Sequence, residues 1–290
     1  MERENNIAFV TDSGIIEAKS PEAANLSVAV VPLEVKFWEG GKYVPYSDEF
    51  ISTEDFYLRM QSSKKLPETT GALPGRFVEI FKDLRQNAAT IFSINTTSKE
   101  SGVYRSALDA RDRTLDEDGL RVDIRVIDSK LVAAAGWFPV EAGVNTFKQG
   151  GTVKQIEDEV AEVISKSQLF VTLETFDNLL HGGRAREAVM AFLGSTFSKY
   201  PVLGFVDGKL KTLIKGGNVQ NARDLMFQMV GDSGKLVKLA ILHTNVPFLA
   251  RKTRETLKSI FDGNIPIYNI KGALAVHAGV GAIALAFQKA

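Results

Sequence analysis

The sequence contains no cysteine, which excludes disulfide bonds, cysteine nucleophiles, thiolate zinc sites and iron–sulfur clusters. Histidine is scarce, with His181, His243 and His277 as its three occurrences, so we expect no metal centre. Neither charge is in excess, because 35 Lys and Arg residues balance 35 Asp and Glu residues. The basic surface that nucleic-acid binding requires is therefore not expected.

Long apolar runs are also missing. No stretch reaches the length of about 18 residues that a membrane-spanning helix requires, so membrane insertion is not expected. The N-terminal apolar run, residues 7–10, follows acidic residues and is too short for a signal peptide. These features predict a cytoplasmic protein.

The composition is that of a globular protein of about two domains, with 290 residues, 44% hydrophobic and 24% charged. Phenylalanine is abundant, with 18 residues against 6 Tyr and 2 Trp. Two interpretations remain open at this point. The phenylalanines pack in ordinary cores, or they line a large apolar cavity.

In the first half of the chain, short β-branched runs alternate with segments of helical periodicity. This alternation is typical of an α/β layer with a mostly parallel sheet. The predicted strands are residues 7–10, 28–35, 90–94 and 122–127. The predicted helices are residues 53–60, a segment that begins at Pro74, residues 103–115, and residues 133–147 with an interruption near Pro139.

The second half has a different pattern. Thr152 follows a glycine pair and is a candidate N-cap for a helix over residues 153–165. Short predicted strands follow at residues 169–173, 202–206, 210–214, 236–242 and 265–270, with a hairpin turn at Asp207-Gly208. We therefore predict two domains, a 1–150 α/β domain and a 151–290 α+β domain with a partly antiparallel sheet.

Small polar residues follow three of the first-half strands. These segments are Thr11-Asp12-Ser13, Asn95-Thr96-Thr97-Ser98 and Asp128-Ser129-Lys130. In a parallel sheet the carboxyl ends of the strands share one edge, where ligands bind. The polar residues either cap the following helices or form a polar binding edge.

Other segments have the chemistry to bind an anion. Thr69-Thr70-Gly71 precedes the helix at Pro74, and Ser101-Gly102 opens another helix, where backbone N–H groups favour a carboxylate or a phosphate. His277 lies in an apolar stretch flanked by glycines, so it is either a core residue or a ligand-binding residue. Gly182-Gly183-Arg184 places an arginine at a glycine turn, as a helix terminus or as a contact for an anion or a partner.

Ser101, Asp128 and His277 also supply the residue types of a serine hydrolase. The sequence around Ser101 is Lys99-Glu100-Ser101-Gly102-Val103, which lacks the G-x-S-x-G pattern of a nucleophile elbow. Because the residue types are present but the motif is not, we keep an α/β serine hydrolase that acts on acyl esters as the alternative function.

Seven segments, in order along nearly the whole chain, resemble motifs of the DegV family of bacterial fatty-acid-binding proteins. Val10-Thr11-Asp12-Ser13 is similar to V-T-D-S, Thr69-Thr70-Gly71-Ala72-Leu73-Pro74-Gly75 to T-S-Q-P-S-x-G, Ser101-Gly102-Val103-Tyr104-Arg105-Ser106-Ala107 to S-G-T-Y-Q-S-A, and Ile127-Asp128-Ser129 to I-D-S. Gly182-Gly183-Arg184 is similar to G-G-R-I, Pro201-Val202-Leu203 with Asp207-Gly208 to K-P-I-L…D-G, and His277-Ala278-Gly279-Val280-Gly281 to H-T-G-P-G.

The resemblance implies a DegV-like fold and a lipid carrier that is not an enzyme. Such a protein binds one long-chain fatty acid non-covalently, with the acyl tail in an apolar tunnel to which the second domain contributes. The implied carboxylate ligands are Thr69, Ser101 and His277, and we add Thr70 and Gly102 to the expected ligand-binding set. The implied partner is a fatty acid kinase that forms acyl-phosphate, so this chain needs no cofactor.

The sequence departs from the family pattern at several positions. Thr70–Leu73 lacks the glutamine and the proline of the T-S-Q-P-S-x-G motif, and Lys99-Glu100 replaces a small residue followed by an apolar one. The family commonly has an arginine for kinase docking after the D-G hairpin, where our alignment places Asn218. Arg184 is then the expected partner-binding residue, and coupling to a typical kinase is expected to be weak.

Overall fold

The computed structural model describes residues 6–115, 122–183 and 200–290 of the chain. The described strands are β1 (Ile7–Asp12), β2 (Val28–Val31), β3 (Glu34–Glu39), β4 (Lys42–Ser47), β5 (Glu68–Gly71), β6 (Thr90–Asn95), β7 (Asp123–Asp128), β8 (Ser167–Thr172), β9 (Tyr200–Val206), β10 (Lys209–Gly216), β11 (Leu236–His243), β12 (Ile267–Asn269) and β13 (Ile283–Lys289). The described helices are α1 (Pro21–Leu26), α2 (Thr53–Ser62), α3 (Pro74–Leu84), α4 (Val103–Leu115), α5 (Ala133–Lys148), α6 (Val153–Lys166), α7 (Asp177–His181), α8 (Val219–Gly231), α9 (Pro247–Leu257) and α10 (Gly272–Ala278).

The chain divides into two compact units. The first consists of the described residues within Met1–Glu34, Ser47–Phe50 and Thr70–Ser165. Its sheet has the strand order β2-β1-β6-β7, and every neighbouring pair is parallel. Helices α3 and α4 contact β2 and β6 respectively, and α5 contacts β1 and β6. The predicted parallel α/β layer is confirmed.

The last change from one unit to the other along the chain falls between Ser165 and Lys166, whereas the sequence predicts a boundary near residue 150. Helix α6 belongs to the first unit because Ile156 and Val160 are buried in the same apolar cluster as Phe9 and Trp137. Gly143 of α5 lets α5 and α6 approach closely, since a Cβ at residue 143 would lie 2.9 Å from a methyl of Val160 in α6. The helix after the glycine pair therefore completes the first core, and no composition change in the sequence marks its end.

The second unit consists of the described residues within Val35–Tyr46, Ile51–Thr69 and Lys166–Ala290. Its larger sheet has the strand order β10-β9-β8-β13-β11-β12. The pairs are antiparallel except for β11 with β12, which are parallel. Asp207 and Gly208 have φ values of 49° and 80°, as a two-residue hairpin turn requires. This confirms the predicted α+β character and the partly antiparallel sheet.

Two sequence predictions about the first half are wrong in detail. Residues 28–35 form two strands in different sheets, β2 in the parallel sheet and β3 in a three-stranded sheet of order β4-β3-β5. The break falls at Pro32-Leu33, where a proline cannot donate to a strand ladder. Helix α5 continues through Pro139 without interruption, because burial on both sides of the proline, at Phe138 and Val140, outweighs its low helix propensity.

Burial of large aromatic side chains accounts for part of the phenylalanine excess. Six phenylalanines are among the largest fully buried side chains of the described residues: Phe37, Phe56, Phe77, Phe81, Phe92 and Phe287. Phe9 and Phe92 stack with ring centroids 5.6 Å apart, and Phe37 meets Phe56 edge to face. These residues support the core-packing interpretation. None of the helices described here is both long enough and apolar enough to cross a membrane.

His243 lies at the end of β11 in the second unit, and its imidazole has a shifted pKa. The backbone N–H of Val246 donates to Nδ1 of His243 over 3.1 Å, which requires the neutral imidazole with its hydrogen on Nε2. Burial lowers the pKa of His243 from its ordinary value of 6.5, and the charge of Arg251 adds to this. The neutral form is therefore the one that the fold stabilises.

We expect the free energy of unfolding to fall as the pH drops below 6.5, because the unfolded chain then takes up a proton that the folded His243 resists. One such group contributes a slope of at most about 1.4 kcal/mol per pH unit. The contribution is fully present above pH 6.5. Urea unfolding of the wild type and of His243→Asn, which keeps an acceptor without titrating, measures it. Identical pH dependence of the two proteins would contradict this assignment.

Candidate functional site

The structure brings together two of the predicted ligand-binding residues, Thr69 and His277, although 208 positions separate them in the sequence. Oγ1 of Thr69 lies 3.1 Å from Nε2 of His277. Both residues belong to the second unit and both are half-buried. A hydroxyl and an imidazole at this distance are a suitable pair of donors for a carboxylate oxygen.

His277 is held in place by the packing of the short helix α10. The hydroxyl of Tyr57 donates to the carbonyl of Ile270, just before the helix. Nζ of Lys271 donates to the carbonyl of Ile51 over 2.6 Å. Ala275 and Val276 of the helix are buried in an apolar cluster of the second unit. Hydrogen bonds before the helix and burial along it therefore fix the backbone that carries the imidazole.

The other end of α10 is fixed by Asn178 of α7. Its Nδ2 donates to the carbonyl of Val276 over 2.9 Å. Gly279 ends the helix with a φ of 70°, and a Cβ there would lie 3.0 Å from Oδ1 of Asn178. The glycine is therefore required both by its backbone conformation and by the close approach of Asn178.

A buried arginine, which our sequence reasoning missed, secures the loop after α10. Nη2 of Arg223 lies 2.8 Å from Oε2 of Glu174 and donates to the carbonyl of Gly281 over 3.4 Å. A lone arginine inside a helix has no spacing or motif that would reveal this role. Only the fold brings α8 next to the segment that follows His277.

In the first unit, Asp12 at the end of β1 is the centre of a buried hydrogen-bond network. Oδ1 accepts from the N–H of Gly14 over 2.9 Å and from the hydroxyl of Thr96 over 2.6 Å. Oδ2 accepts from the N–H of Thr96 over 2.8 Å and from Nδ2 of Asn95 over 3.4 Å. Burial raises the pKa of Asp12, while these hydrogen bonds act in the opposite direction.

The other polar strand ends also bond within the first unit. The hydroxyl of Ser13 donates to Oδ2 of Asp48 over 2.5 Å. Asp128 accepts from the N–H and the hydroxyl of Ser98 and from the N–H of Lys130. Polar side chains therefore gather at this edge of the sheet, where they hold its loops together, and ligand binding at this edge stays a prediction. The helix-cap interpretation does not describe them, since they join different strand ends.

The remaining predicted site residues belong to other segments of the chain. Ser101 and Gly102 belong to the first unit, just before α4, and Oγ of Ser101 accepts from the N–H of Val103 over 3.3 Å. Thr70 lies exposed in β5. Arg184 lies outside the described residues.

Asn218 has a local structural role. It is the N-cap of α8, and its Oδ1 accepts from the N–H of Asn221 over 2.8 Å. An arginine at this position could not accept that hydrogen bond. Within the described ranges, no cluster of three or more His, Asp or Glu side chains has a geometry suited to a metal ion.

The sequence of the chain matches a known protein family over almost its entire length. The family model, whose description reads "Uncharacterised protein, DegV family", matches residues 6–290. The chain belongs to the DegV family. A DegV domain-containing protein of Lactococcus lactis is 27% identical over 285 residues, which cover 96% of this chain and 98% of that protein.

Solved structures of other proteins share the fold. The crystal structure of DegV, a fatty acid binding protein from Bacillus subtilis, matches with a TM-score of 0.84 at 23% identity, over 98% of this chain and 99% of that one. A stearic acid-binding protein from Eubacterium ventriosum matches with a TM-score of 0.85 at 20% identity, again over 98% and 99%. The predicted family and the predicted DegV-like fold are both confirmed.

Proposed function

We propose that this DegV protein binds one long-chain fatty acid non-covalently and that Thr69 and His277 hold its carboxylate. The observation that carries this proposal is the 3.1 Å distance between the Thr69 hydroxyl and the His277 imidazole. The fatty-acid ligands named for the Bacillus subtilis and Eubacterium ventriosum relatives support a ligand of this class. Neither residue alone would indicate a carboxylate, but the hydroxyl and the imidazole can each donate to a carboxylate when it replaces the hydrogen bond between them.

Ser101 is the proposed third carboxylate ligand, with Gly102 and Thr70 as further members of the ligand-binding set. The Ser101 hydroxyl accepts from the N–H of Val103, and this use of a lone pair leaves its hydrogen to be donated. Gly102 precedes the first turn of α4, whose backbone N–H groups favour an anion. A fatty-acid carboxylate buried with its tail requires several such donors, since an unpaired buried charge is costly.

The acyl tail would supply most of the binding free energy. Burying about fifteen methylene groups at roughly 0.8 kcal/mol each gives about 12 kcal/mol before ordering costs. Loss of translational and rotational freedom and of tail flexibility reduces this value, but a useful affinity survives. The carboxylate contacts then decide which end of the ligand is recognised.

A non-catalytic carrier is the proposed role, with phosphorylation of the bound fatty acid left to a partner kinase in the cytoplasm. Arg184 is the proposed partner contact. Asn218 stands where the family commonly has an arginine for kinase docking. Since Asn218 caps α8, Asn218→Arg would exchange the cap for a charge. Acyl-phosphate formation by a fatty acid kinase with ATP, compared for the wild type and Arg184→Ala, tests this role. An unchanged rate in Arg184→Ala would remove Arg184 from the docking surface.

The alternative, a serine hydrolase, is disfavoured by the surroundings of Asp128. In a catalytic triad the aspartate orients the histidine through a carboxylate oxygen. Here Oδ1 of Asp128 accepts from the N–H groups of Ser98 and Lys130, and Oδ2 accepts from the hydroxyl of Ser98. Both oxygens of Asp128 therefore already accept hydrogen bonds within the loops that follow β6 and β7.

Competition between a fatty acid and its methyl ester tests the proposed carboxylate site. We expect delipidated protein to bind the free acid at least about tenfold more tightly than the ester, because the ester cannot accept charge-assisted hydrogen bonds. Displacement of a fluorescent fatty acid measures both affinities. The preference for the acid should shrink in the double variant Thr69→Val, His277→Ala. Equal affinity of acid and ester for the wild type would contradict the proposal, and so would hydrolysis of the ester.

A further inference from the structure

Gly182 ends α7 in a conformation that does not require glycine. Its φ is −68° and its ψ is −9°, which is the right-handed helical region that every L-amino acid adopts readily. Its N–H donates to the carbonyl of Asn178 over 3.1 Å, as at an ordinary helix end. The backbone therefore gives no reason for the absence of a side chain at this position.

The space beside Gly182 gives that reason, because the imidazole of His277 occupies it. A Cβ on residue 182 would lie 2.3 Å from Nδ1 and 2.7 Å from Cε1 of His277. The next nearest atom, the carbonyl oxygen of Asn178, would be 3.5 Å away, which is an ordinary contact. Among its three nearest neighbours, only the histidine ring is too close for an alanine at position 182.

The two sides of the His277 ring therefore have different neighbours. Nδ1 is buried on the side that faces Gly182, and Nε2 lies 3.1 Å from the hydroxyl of Thr69. The helix that carries the ring has little freedom to retreat, because Asn178 bonds the carbonyl of Val276 and Lys271 bonds the carbonyl of Ile51. A side chain at position 182 would thus have to rotate the imidazole away from its present orientation.

We propose that Gly182 is a positioning residue for His277. By lacking a side chain it admits the imidazole in the one orientation that directs Nε2 at Thr69. This inference rests on the proposed function in one respect, which is that the orientation of the imidazole serves to bind a fatty-acid carboxylate. The orientation itself is a property of the protein without ligand.

A double-mutant cycle separates this role from general destabilisation. Gly182→Ala is expected to weaken fatty-acid binding by about five- to tenfold, the loss of one hydrogen bond. In a His277→Ala background the same substitution should change the affinity less than twofold, because the ring that it displaces is gone. Gly231→Ala is the matched control, since the three atoms nearest to its Cβ would all belong to Ile260 in the second unit, at 3.7 Å or more. An equal loss in both backgrounds would overturn the proposal.

The NMR signals of the imidazoles give a second measurement that needs no ligand. With three histidines in the chain, His277→Ala assigns the His277 signals by their disappearance. Gly182→Ala should shift the ring ¹⁵N signals of His277 and leave those of His243 in place, while Gly231→Ala shifts neither. Unchanged His277 signals in Gly182→Ala would refute the positioning role. If fatty-acid affinity does not depend on His277 but these signals do shift, the proposed carboxylate site fails while the positioning role holds.

Discussion

Replacing His277 with alanine is expected to lower the affinity for a long-chain fatty acid by about 10- to 100-fold, which corresponds to loss of a charge-assisted hydrogen bond of roughly 1.5–3 kcal/mol. The carboxylate would then lose the imidazole that lies 3.1 Å from the Thr69 hydroxyl. Thr69→Val, which keeps the shape of the side chain, should cost about three- to tenfold. Titration of delipidated protein with a fluorescent fatty acid measures these losses.

The control for this prediction is His181→Ala, which removes an exposed histidine from the neighbouring helix α7. It should leave the affinity unchanged. The double variant Thr69→Val, His277→Ala should lose less than the sum of the two single losses, because the two side chains contact each other. Wild-type affinity in His277→Ala would show that the carboxylate binds elsewhere.

Asp12→Ala is expected to lower the free energy of unfolding by about 3 kcal/mol, because removal of one carboxylate leaves several buried donors without an acceptor. These donors are the N–H groups of Gly14 and Thr96, the hydroxyl of Thr96, and Nδ2 of Asn95. Asp12 is fully buried, so water cannot replace the lost acceptor without entering the core. Urea unfolding of the first unit's signals, for example by tryptophan fluorescence of Trp137, measures the loss.

Asp158→Ala is the matched control for Asp12→Ala. Asp158 pairs with Lys154 on the exposed face of α6, where an ion pair contributes at most about 1 kcal/mol. The control should therefore unfold within about 0.5 kcal/mol of the wild type. A loss below about 1 kcal/mol for Asp12→Ala would mean that the network around Asp12 does not stabilise the strand ends.

Patterns with a local physical cause were readable from the sequence. The first strand was predicted over residues 7–10, two residues short of the end of β1 at Asp12. The polar residues after β6 were predictable because a buried parallel strand is apolar until it reaches its carboxyl edge. Thr152 was predicted as an N-cap, and its Oγ1 does accept from the N–H of Gln155 over 3.3 Å. The N–H of Thr152 in turn donates to Oε1 of Gln155 over 2.8 Å, which completes a capping box.

Features that depend on tertiary context were not readable. Strand β13 lies between β8 and β11 in the larger sheet and is buried on both faces from Ile283 to Phe287. It therefore shows no alternation of polar and apolar residues, and periodicity cannot distinguish it from a buried helix. The same holds for the continuation of α5 through Pro139, which depends on packing that a sequence window does not contain.

The candidate site shows the same limit more sharply. No spacing rule connects Thr69 with His277, 208 residues later, and only the resemblance to a family placed them in one site. The role of Gly182 was hidden for a similar reason. Its sequence neighbours indicate a turn, whereas its requirement for glycine comes from a histidine ring on another helix. Contacts between distant segments need the fold before they can be interpreted.

Native mass spectrometry of the purified protein is the most direct test of fatty-acid binding, because it counts bound ligands and weighs them. We expect one non-covalent adduct per chain with the mass of a single long-chain saturated or monounsaturated fatty acid. This adduct should disappear on denaturation and return when the delipidated protein is mixed with the free acid. An adduct with the mass of a phospholipid, or a delipidated protein that takes up no fatty acid, would contradict the proposed binding of one fatty acid.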